Sequence, residues 1–137
     1  MSGIPPCCIE IVILGIGIDI IEVERIKKSF EKFGERFLNR ILHPKEISYC
    51  LSHREPAPFL AARFAAKEAI SKAFGTGIGA QCGWQDMEVG RKGSGEPFVI
   101  LHGSGQRLLE TRGARAVLLS LSHTQSYAAA VAILESD

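Results

Sequence analysis

The spacing of apolar positions divides the chain into a buried strand, a run of helices and several further strands. The segment Glu10 to Ile18 is β-branched and apolar almost throughout, which predicts a central strand. From Glu22 onward apolar residues recur every three or four positions with lysine and arginine between them, which predicts an amphipathic helix. We expect Gly34 to break or bend this helix, and His43-Pro44 to start another that continues to about Leu51.

An alanine-rich stretch predicts the next helix. The sequence FLAARFAAKEAISKAF consists mainly of strong helix formers. Pro56 and Pro58 suit its first turn, and Gly75 suits its C-terminal end. Because alanine side chains are small, this helix can approach its packing partner closely.

Strands dominate the rest of the chain. Asp86–Arg91 and Pro97–Leu101 flank the turn-rich segment KGSGE and predict a hairpin, and Gly103–Thr111 predicts a helix. Ala116–Ser122 and Tyr127–Leu134 then flank a tight connection at positions 123–126. The order of a strand, helices and antiparallel strands predicts an α+β domain.

Three alanines of the last predicted strand, Ala128, Ala130 and Ala132, share one face by the period-two rule. A face of such small side chains must meet something closely. We expect its partner to be either the alanine-rich helix or a neighbouring subunit.

Composition and charge narrow the classes of function. The 137 residues, with 46% hydrophobic and 23% charged side chains, are typical of one domain over positions 1–137, in which residues 1–10 form a loose leader. A net charge of +1 argues against a general nucleic-acid-binding protein.

The apolar stretch Ile9–Ile21 contains Glu10 and Asp19 and is too short to span a bilayer, so we expect no membrane association. Four cysteines without a C-x-x-C pair favour a reduced, cytoplasmic protein over a zinc site.

Asp19 is the first candidate for chemistry. It follows the apolar strand in the sequence GIGIDIIE, which lacks the third glycine of a dinucleotide-binding turn, and the chain contains no P-loop. An aspartate before a helix is often an N-cap. The local sequence therefore leaves two interpretations open, a cap and a functional carboxylate.

Glu68 and Lys72 are the second candidates. They are four residues apart and lie on one face of the alanine-rich helix, next to a basic stripe formed by Arg63 and Lys67. On spacing alone, a surface ion pair worth about 0.3–0.5 kcal/mol is the favoured interpretation over a functional role.

Three segments together resemble a known family. FAAKEAISKAFGTGIG at positions 64–79 is similar to the signature of the phosphopantetheinyl transferases, GIGIDIIEVERI at 15–26 to the N-terminal signature of their short holo-acyl-carrier-protein synthase branch, and SLSHTQSYAAAVAI at 120–133 to the closing hairpin of that branch. The segments occur in the family's order. The resemblance implies the family's α+β fold, with an antiparallel sheet on the long helix.

The resemblance also implies a reaction. A serine of apo-acyl carrier protein attacks the β-phosphate of coenzyme A, receives 4′-phosphopantetheine and releases adenosine 3′,5′-bisphosphate, a step of fatty acid biosynthesis. Asp19 and Glu68 correspond to Mg²⁺ ligands, which suits the oxygen preference of that ion, and Lys72 faces the diphosphate or the serine.

The base that takes the serine proton stays open between Glu68, Asp19 and a water on the metal. Glu68 acting through water is favoured, because a carboxylate bound to Mg²⁺ is a poor base.

Further positions are expected to bind substrates by the same resemblance. For coenzyme A we expect contacts from residues at five places in the chain: Arg54, Arg63, Gly75, Thr76, Gly77, Pro97, His123 and Thr124. For the acidic carrier protein we expect docking by Arg25, Arg36 and Arg40, where complementary charge would mainly accelerate association. Short members of the family are homotrimers with active sites shared between subunits.

Two rival functions are weighed against this one. A transferase for secondary-metabolite carriers is disfavoured, because the broad-range relatives are about twice as long. A non-catalytic coenzyme A or carrier-protein binding module is disfavoured by the joint presence of Asp19, Glu68 and Lys72.

Overall fold

An antiparallel three-stranded sheet packed on one long helix forms the centre of the fold. The computed structural model describes residues 10–136. Its elements, in chain order, are β1 (Ile13–Glu22), α1 (Val23–Phe33), α2 (Glu35–Ile41), α3 (Pro44–Leu51), α4 (Ala57–Phe74), β2 (Met87–Arg91), β3 (Pro97–Leu101), α5 (Gly103–Thr111), β4 (Ala114–His123) and β5 (Tyr127–Ser136). The strand order is β1-β5-β4, and β2 and β3 form a separate hairpin. The predicted α+β class is confirmed.

Strand β1 starts later and ends later than its sequence predicts. It pairs with β5 from Ile13 to Glu22, and the backbone N–H of Val23 donates to the carbonyl of Ser126 at 2.8 Å. This continuous pairing holds the backbone extended up to the first residue of α1. Asp19 therefore lies inside a strand, and the prediction that the strand ends at Ile18 is wrong.

The helical boundaries agree closely with the sequence pattern. Gly34 has φ 58°, a backbone conformation that suits glycine, and it separates α1 from α2. Pro44 begins α3, and Gly75 ends α4 in the left-handed conformation with φ 83°. The predicted break and the predicted helix end are both confirmed.

Helix α4 is the centre of the core. Twelve of its eighteen residues are buried, as expected of a helix surrounded by other elements rather than lying at the surface. The alanine face of β5 is buried as well, with Ala128, Ala130 and Ala132 exposed by at most 3%, and β5 packs on α4. Of the two predicted partners for this face, the helix is correct and a neighbouring subunit is excluded.

The remaining elements pack on both layers of the domain: β2 contacts α3 and α4, whereas β3 and α5 contact β4. Buried residues from Ile21 to Leu134 belong to one continuous hydrophobic core. Of the predicted loose leader, only Glu10 is described; it is exposed and has no regular secondary structure, and residues 1–9 lie outside the described range. Within residues 10–136, none of the helices has the length and apolar character needed to cross a membrane.

Candidate active site

Two glycines bring β1 unusually close to α4. A Cβ atom added to Gly15 would lie 2.0 Å from the carbonyl oxygen of Ala73, and one added to Gly17 would lie 1.9 Å from that of Ala69. Both glycines point to the same face of β1 as Asp19, because alternate residues of a strand share a face. The glycine pair that resembles part of a nucleotide-binding turn thus serves a packing function, and it places Asp19 against the next turn of α4.

We expect Gly17→Ala to destabilise the fold by about 1–3 kcal/mol, because an overpacked contact must be relieved by moving backbone. The measurement is urea unfolding at neutral pH. Gly79→Ala is the matched control, since an added Cβ there meets nothing within 4 Å. Equal stability of the two variants would show that β1 does not depend on this close approach.

Asp19, Glu68 and Lys72 meet where β1 crosses α4. The ammonium of Lys72 donates to Asp19 Oδ1 at 3.0 Å and to the carbonyl of Ile18 at 3.0 Å. The N-cap of α1 is Glu22, which makes no side-chain capping bond, so the capping interpretation of Asp19 is wrong. In the described part of the chain the ion pair of Lys72 is with Asp19 and not, as the helical spacing suggests, with Glu68.

Glu68 is the electrostatically perturbed member of this group. Partial burial raises the pKa of its carboxyl group, the negative charge of Asp19 raises it further, and Lys72 opposes both effects. Two carboxylates that repel each other at the edge of the core form an environment that a cation would stabilise.

A pocket beside the N-terminal half of α4 collects several of the other predicted residues. Arg63, Pro97 and His123 line it together with Arg91 and Ser122. Arg63 is only 2% exposed, its guanidinium stacks 4.3 Å over the ring of Tyr49, and its Nε has no hydrogen-bond partner. A buried arginine with an unsatisfied donor is a suitable partner for an anion.

The placement of the basic residues differs from the predictions in two ways. Arg91 is absent from the predicted set, although it pairs directly with Pro97 in the hairpin and that register would have indicated it. The predicted basic stripe of Arg63 and Lys67 is wrong, because both side chains are buried. Lys67 instead forms an ion pair with Glu46 in the core, with Nζ and Oε1 2.8 Å apart.

The remaining predicted coenzyme A residues lie in other places. Gly75, Thr76 and Gly77 follow the C-terminal end of α4, where the hydroxyl of Thr76 donates to the carbonyl of Gly77 at 2.8 Å. The hydroxyl oxygen of Thr124 accepts from the backbone N–H of Tyr127 at 3.0 Å and so holds the β4–β5 turn. Arg54 lines a different pocket, whose walls include the carboxylates of Glu22, Glu24, Glu31 and Glu55, so a phosphate there would face nearby negative charge.

The three predicted docking arginines are all exposed. Arg25 lies on α1, and Arg36 and Arg40 lie on α2 four residues apart, so they share one face of that helix. None of the three forms an ion pair within residues 10–136.

The carboxylate pair and the arginine pocket lie on different sides of α4. Arg63 and Glu68 are five residues apart, which corresponds to a rotation of about 140° around the helix axis. Glu68 and Lys72, by contrast, are separated by only about 40°. The Gly75–Gly77 turn lies about 18 Å farther along the helix axis than Arg63. A single chain therefore does not gather all the predicted residues into one cleft.

Comparison with known proteins identifies the family. Residues 15–132 match the model of the 4′-phosphopantetheinyl transferase superfamily. A holo-acyl-carrier-protein synthase of Koribacter versatilis is 50% identical over 123 residues, which cover 90% of this chain and 98% of the relative. That of Moorella thermoacetica is 48% identical over 124 residues, with 90% and 95% covered.

Solved structures agree with the sequence relatives. The holo-acyl-carrier-protein synthase of Neisseria meningitidis superposes with a TM-score of 0.83 at 36% identity and covers 90% of this chain and 98% of its own. That of Bacillus anthracis, solved with coenzyme A (3′,5′-ADP), gives a TM-score of 0.77 at 40% identity, with 91% and 98% covered. The chain therefore belongs to the 4′-phosphopantetheinyl transferase superfamily, and within it to the holo-acyl-carrier-protein synthases, which are enzymes.

Proposed function

We propose that this chain transfers 4′-phosphopantetheine from coenzyme A to a serine of apo-acyl carrier protein. The observation that carries the proposal is the meeting of Asp19, Glu68 and Lys72 where β1 crosses α4. Phosphoryl transfer needs positioning and charge neutralisation more than covalent help from the protein. A group of two carboxylates and one ammonium suits that requirement.

Asp19 and Glu68 are the residues that would hold Mg²⁺. Both offer the oxygen donors that this ion prefers. Partial burial raises the pKa of Glu68 most, and the negative charge of Asp19 raises it further, so a cation between the two carboxylates would relieve their repulsion. Bound there, Mg²⁺ would neutralise charge on the diphosphate of coenzyme A. Lys72, whose side chain is 48% exposed, can turn from Asp19 toward the same diphosphate.

The proton of the carrier serine passes toward Glu68 through a water molecule, because a carboxylate that binds Mg²⁺ is a poor direct base. The serine oxygen then forms a bond to the β-phosphorus, the bond from that phosphorus to the bridging oxygen breaks, and adenosine 3′,5′-bisphosphate leaves. In the metal-free chain, partial burial raises the pKa of Glu68, a direction that suits a group that receives a proton.

The pocket of Arg63 and His123 would bind the 3′-phosphate of coenzyme A. The unsatisfied Nε of Arg63 supports this assignment, and Arg91 and His123 add further donors at the wall. Because this pocket and Glu68 lie on different sides of α4, we infer that one chain supplies the carboxylates and a neighbouring chain supplies the pocket.

We propose that the chain forms a homotrimer through the outer face of its three-stranded sheet. On this face Ile16, Ile18 and Ile20 are 61–68% exposed. Their neighbours on the same face include Val131 of β5 and Leu118 of β4. Such a continuous apolar surface is typical of an interface, and a second copy would cover it without disturbing α4, which packs on the opposite face.

We expect Ile18→Glu to dissociate the trimer and reduce transfer activity together with it. Light scattering after size exclusion measures the mass, and the rate is measured on the same fractions. Leu51→Glu, at an exposed apolar position of α3 away from the sheet, should leave both unchanged. A wild-type protein that is monomeric at full activity would refute the shared site.

Docking of the acidic carrier protein is proposed for Arg25, Arg36 and Arg40. Reversing charge at Arg36 and Arg40 together should raise KM for the carrier by about 10-fold or more with little change in kcat, because exposed charges act mainly on association. Varying coenzyme A instead should give an unchanged KM. An increase in KM for the carrier that is equally large at high and at low salt would contradict an electrostatic contact.

The direct test of the proposed function is a mass measurement. The protein is incubated with apo-acyl carrier protein, coenzyme A and Mg²⁺, and the carrier is weighed by mass spectrometry. We expect a gain of one phosphopantetheine arm. Binding of coenzyme A and carrier without this gain would instead support a non-catalytic binding module, and transfer only to carriers of secondary metabolism would change the substrate class.

A reducing compartment, the cytoplasm, is proposed from the cysteines that the structure describes. Cys50 and Cys82 are free and buried, and burial raises the pKa of each thiol to about 11. Protonated, inaccessible thiols are unreactive and require no oxidising environment.

A further inference from the structure

Two histidines and a glutamate meet at a place that the proposed reaction does not use. His43 precedes α3, Glu88 lies on β2 and His102 precedes α5. One ligand atom from each can be chosen so that all three lie within 4.8 Å of one another. Glu88 Oε1 is 2.9 Å from His102 Nε2 and 3.8 Å from His43 Nδ1.

We propose that His43, Glu88 and His102 form a binding site for a divalent transition metal of the zinc type. Zinc is commonly bound by histidine nitrogens and carboxylate oxygens at about 2.0–2.2 Å in a tetrahedral arrangement, which separates neighbouring ligand atoms by about 3.3 Å. The two distances to Glu88 Oε1 lie on either side of that value. The ligand atoms of the two histidines lie within 4.8 Å of each other, so side-chain rotations that bring them together would close the site, with water as the fourth ligand.

The hydrogen bonds of His43 favour this assignment. Its Nε2 lies 2.9 Å from the carbonyl oxygen of Gln85 and donates to it, which leaves Nδ1, 3.8 Å from Glu88 Oε1, unprotonated and able to bind a metal. Metal-binding histidines typically donate their second ring N–H to a carbonyl or carboxylate, which fixes the tautomer and the ring orientation. The side chain of Gln85 is itself held, since its Nε2 donates to the carbonyls of Asn39 and Leu42 at 2.8 and 3.0 Å.

Burial and ring packing also suit a metal site. The rings of His43 and His102 stack with centroids 4.7 Å apart. The side chain of Glu88 is 13% exposed and that of His43 is 20% exposed, whereas His102 at 42% leaves an entry path from solvent. The ligands are thus largely preorganised.

The donor set separates this site from the proposed Mg²⁺ site. Two imidazoles with one carboxylate favour Zn²⁺, Ni²⁺ or Cu²⁺, whereas Mg²⁺ prefers oxygen donors only. A metal held by His43, Glu88 and His102 would tie the starts of α3 and α5 to the hairpin. We therefore expect the bound ion to raise the stability of the fold independently of the transfer reaction.

Calorimetric titration of the chelator-treated full-length protein with Zn²⁺, in excess Mg²⁺, tests the proposal. We expect one ion per chain with His102→Gln weakening the affinity by at least about 10-fold, because even the loss of an outer hydrogen-bond partner of a ligand costs about 10–100-fold. Zn²⁺ at 100 times its dissociation constant should raise the unfolding midpoint by about 5 °C or more in the wild type. At the same Zn²⁺ concentration, a 10-fold weaker affinity in His102→Gln should leave at most about half of this shift.

Two controls decide between this site and other zinc ligands. The substitutions Cys7→Ser and Cys8→Ser remove two thiols that lie outside the described residues, and Zn²⁺ binding should persist without them. In nuclear magnetic resonance spectra of the wild type, Zn²⁺ should shift the imidazole signals of His43 and His102 but not that of His53. Binding that is lost with the cysteines, signals of His43 and His102 that do not move, or equal affinity of His102→Gln would overturn the assignment.

Discussion

Replacing Glu68 with glutamine will reduce phosphopantetheine transfer by about 100-fold or more while leaving the fold intact. Glutamine has nearly the same shape but can neither accept the serine proton nor offer a charged oxygen to Mg²⁺. The measurement is the rate of holo-carrier formation followed by mass. Glu110→Gln, at an exposed position of α5, is the control and should retain full activity. Normal turnover in Glu68→Gln would exclude Glu68 from both roles.

Thermal unfolding separates loss of chemistry from loss of structure in the same variant. Because the pKa of Glu68 is raised in the folded chain, its stabilising contribution is present below the pKa of an unfolded glutamate and is lost as the pH rises through the folded pKa. At neutral pH the ionised carboxylate therefore costs stability in the metal-free protein. Glu68→Gln should unfold at the same or a higher temperature than the wild type.

Addition of Mg²⁺ supplies a further comparison. The ion should raise the unfolding midpoint of the wild type, because it binds the folded state only, and it should have little effect on Glu68→Gln. Equal stabilisation of both proteins by Mg²⁺ would show that the ion binds elsewhere.

The second large effect is expected at the buried ion pair of Glu46 and Lys67. Replacing Glu46 with leucine should lower the free energy of unfolding by about 3–5 kcal/mol, because it leaves an uncompensated charge in the core. Both side chains are fully buried, and burial lowers the pKa of Lys67 while Glu46 opposes that shift. Urea unfolding at neutral pH and one fixed protein concentration is the measurement.

Several bonds are lost together in this variant. Glu46 accepts from Lys67, from the backbone N–H of His43 at 2.8 Å and from that of Val89 at 3.0 Å. Lys67 also donates to the carbonyl of Ile41 at 2.7 Å. The network joins α2, α3, α4 and β2, so we expect its loss to destabilise the whole domain.

Matched variants distinguish a buried charge from a generic substitution. The exposed pair of Lys92 and Glu96, 3.5 Å apart, is worth less than about 1 kcal/mol, so Glu96→Gln should be nearly neutral. Glu46→Leu combined with Lys67→Met should recover much of the lost stability, because the unpaired charge is removed. A double variant as unstable as Glu46→Leu would contradict a charge-based explanation.

The sequence predicted the elements of the fold well, because their signals are local. A glycine at a positive φ, a proline in a first helical turn and a run of strong helix formers act within one or two turns of chain. Gly34, Pro44 and Gly75 accordingly mark the boundaries that the structure shows. The end of β1 was predicted wrongly, because pairing with β5, more than a hundred residues later, extends the strand past Ile18.

The candidate site was predicted less completely. Asp19 and Glu68 could be selected from the family's signatures, but the ion pair between Asp19 and Lys72 joins residues 53 positions apart and has no local signal. Lys67 looked like a surface residue by helical spacing. It is buried because Glu46, from another helix, compensates its charge.

Asp19 and Glu68 illustrate the difference between what the local sequence specifies and what only tertiary packing specifies. Composition, periodicity and the three signature segments were sufficient to specify the α+β class and the family and to select the two candidate carboxylates, since each of these depends on residues that are near in sequence. The close approach through Gly15 and Gly17 and the pocket around Arg63 arise only from long-range packing. Contacts of this kind depend on how β1, α4 and β5 fit together in space, and no segment of the chain encodes that fit alone.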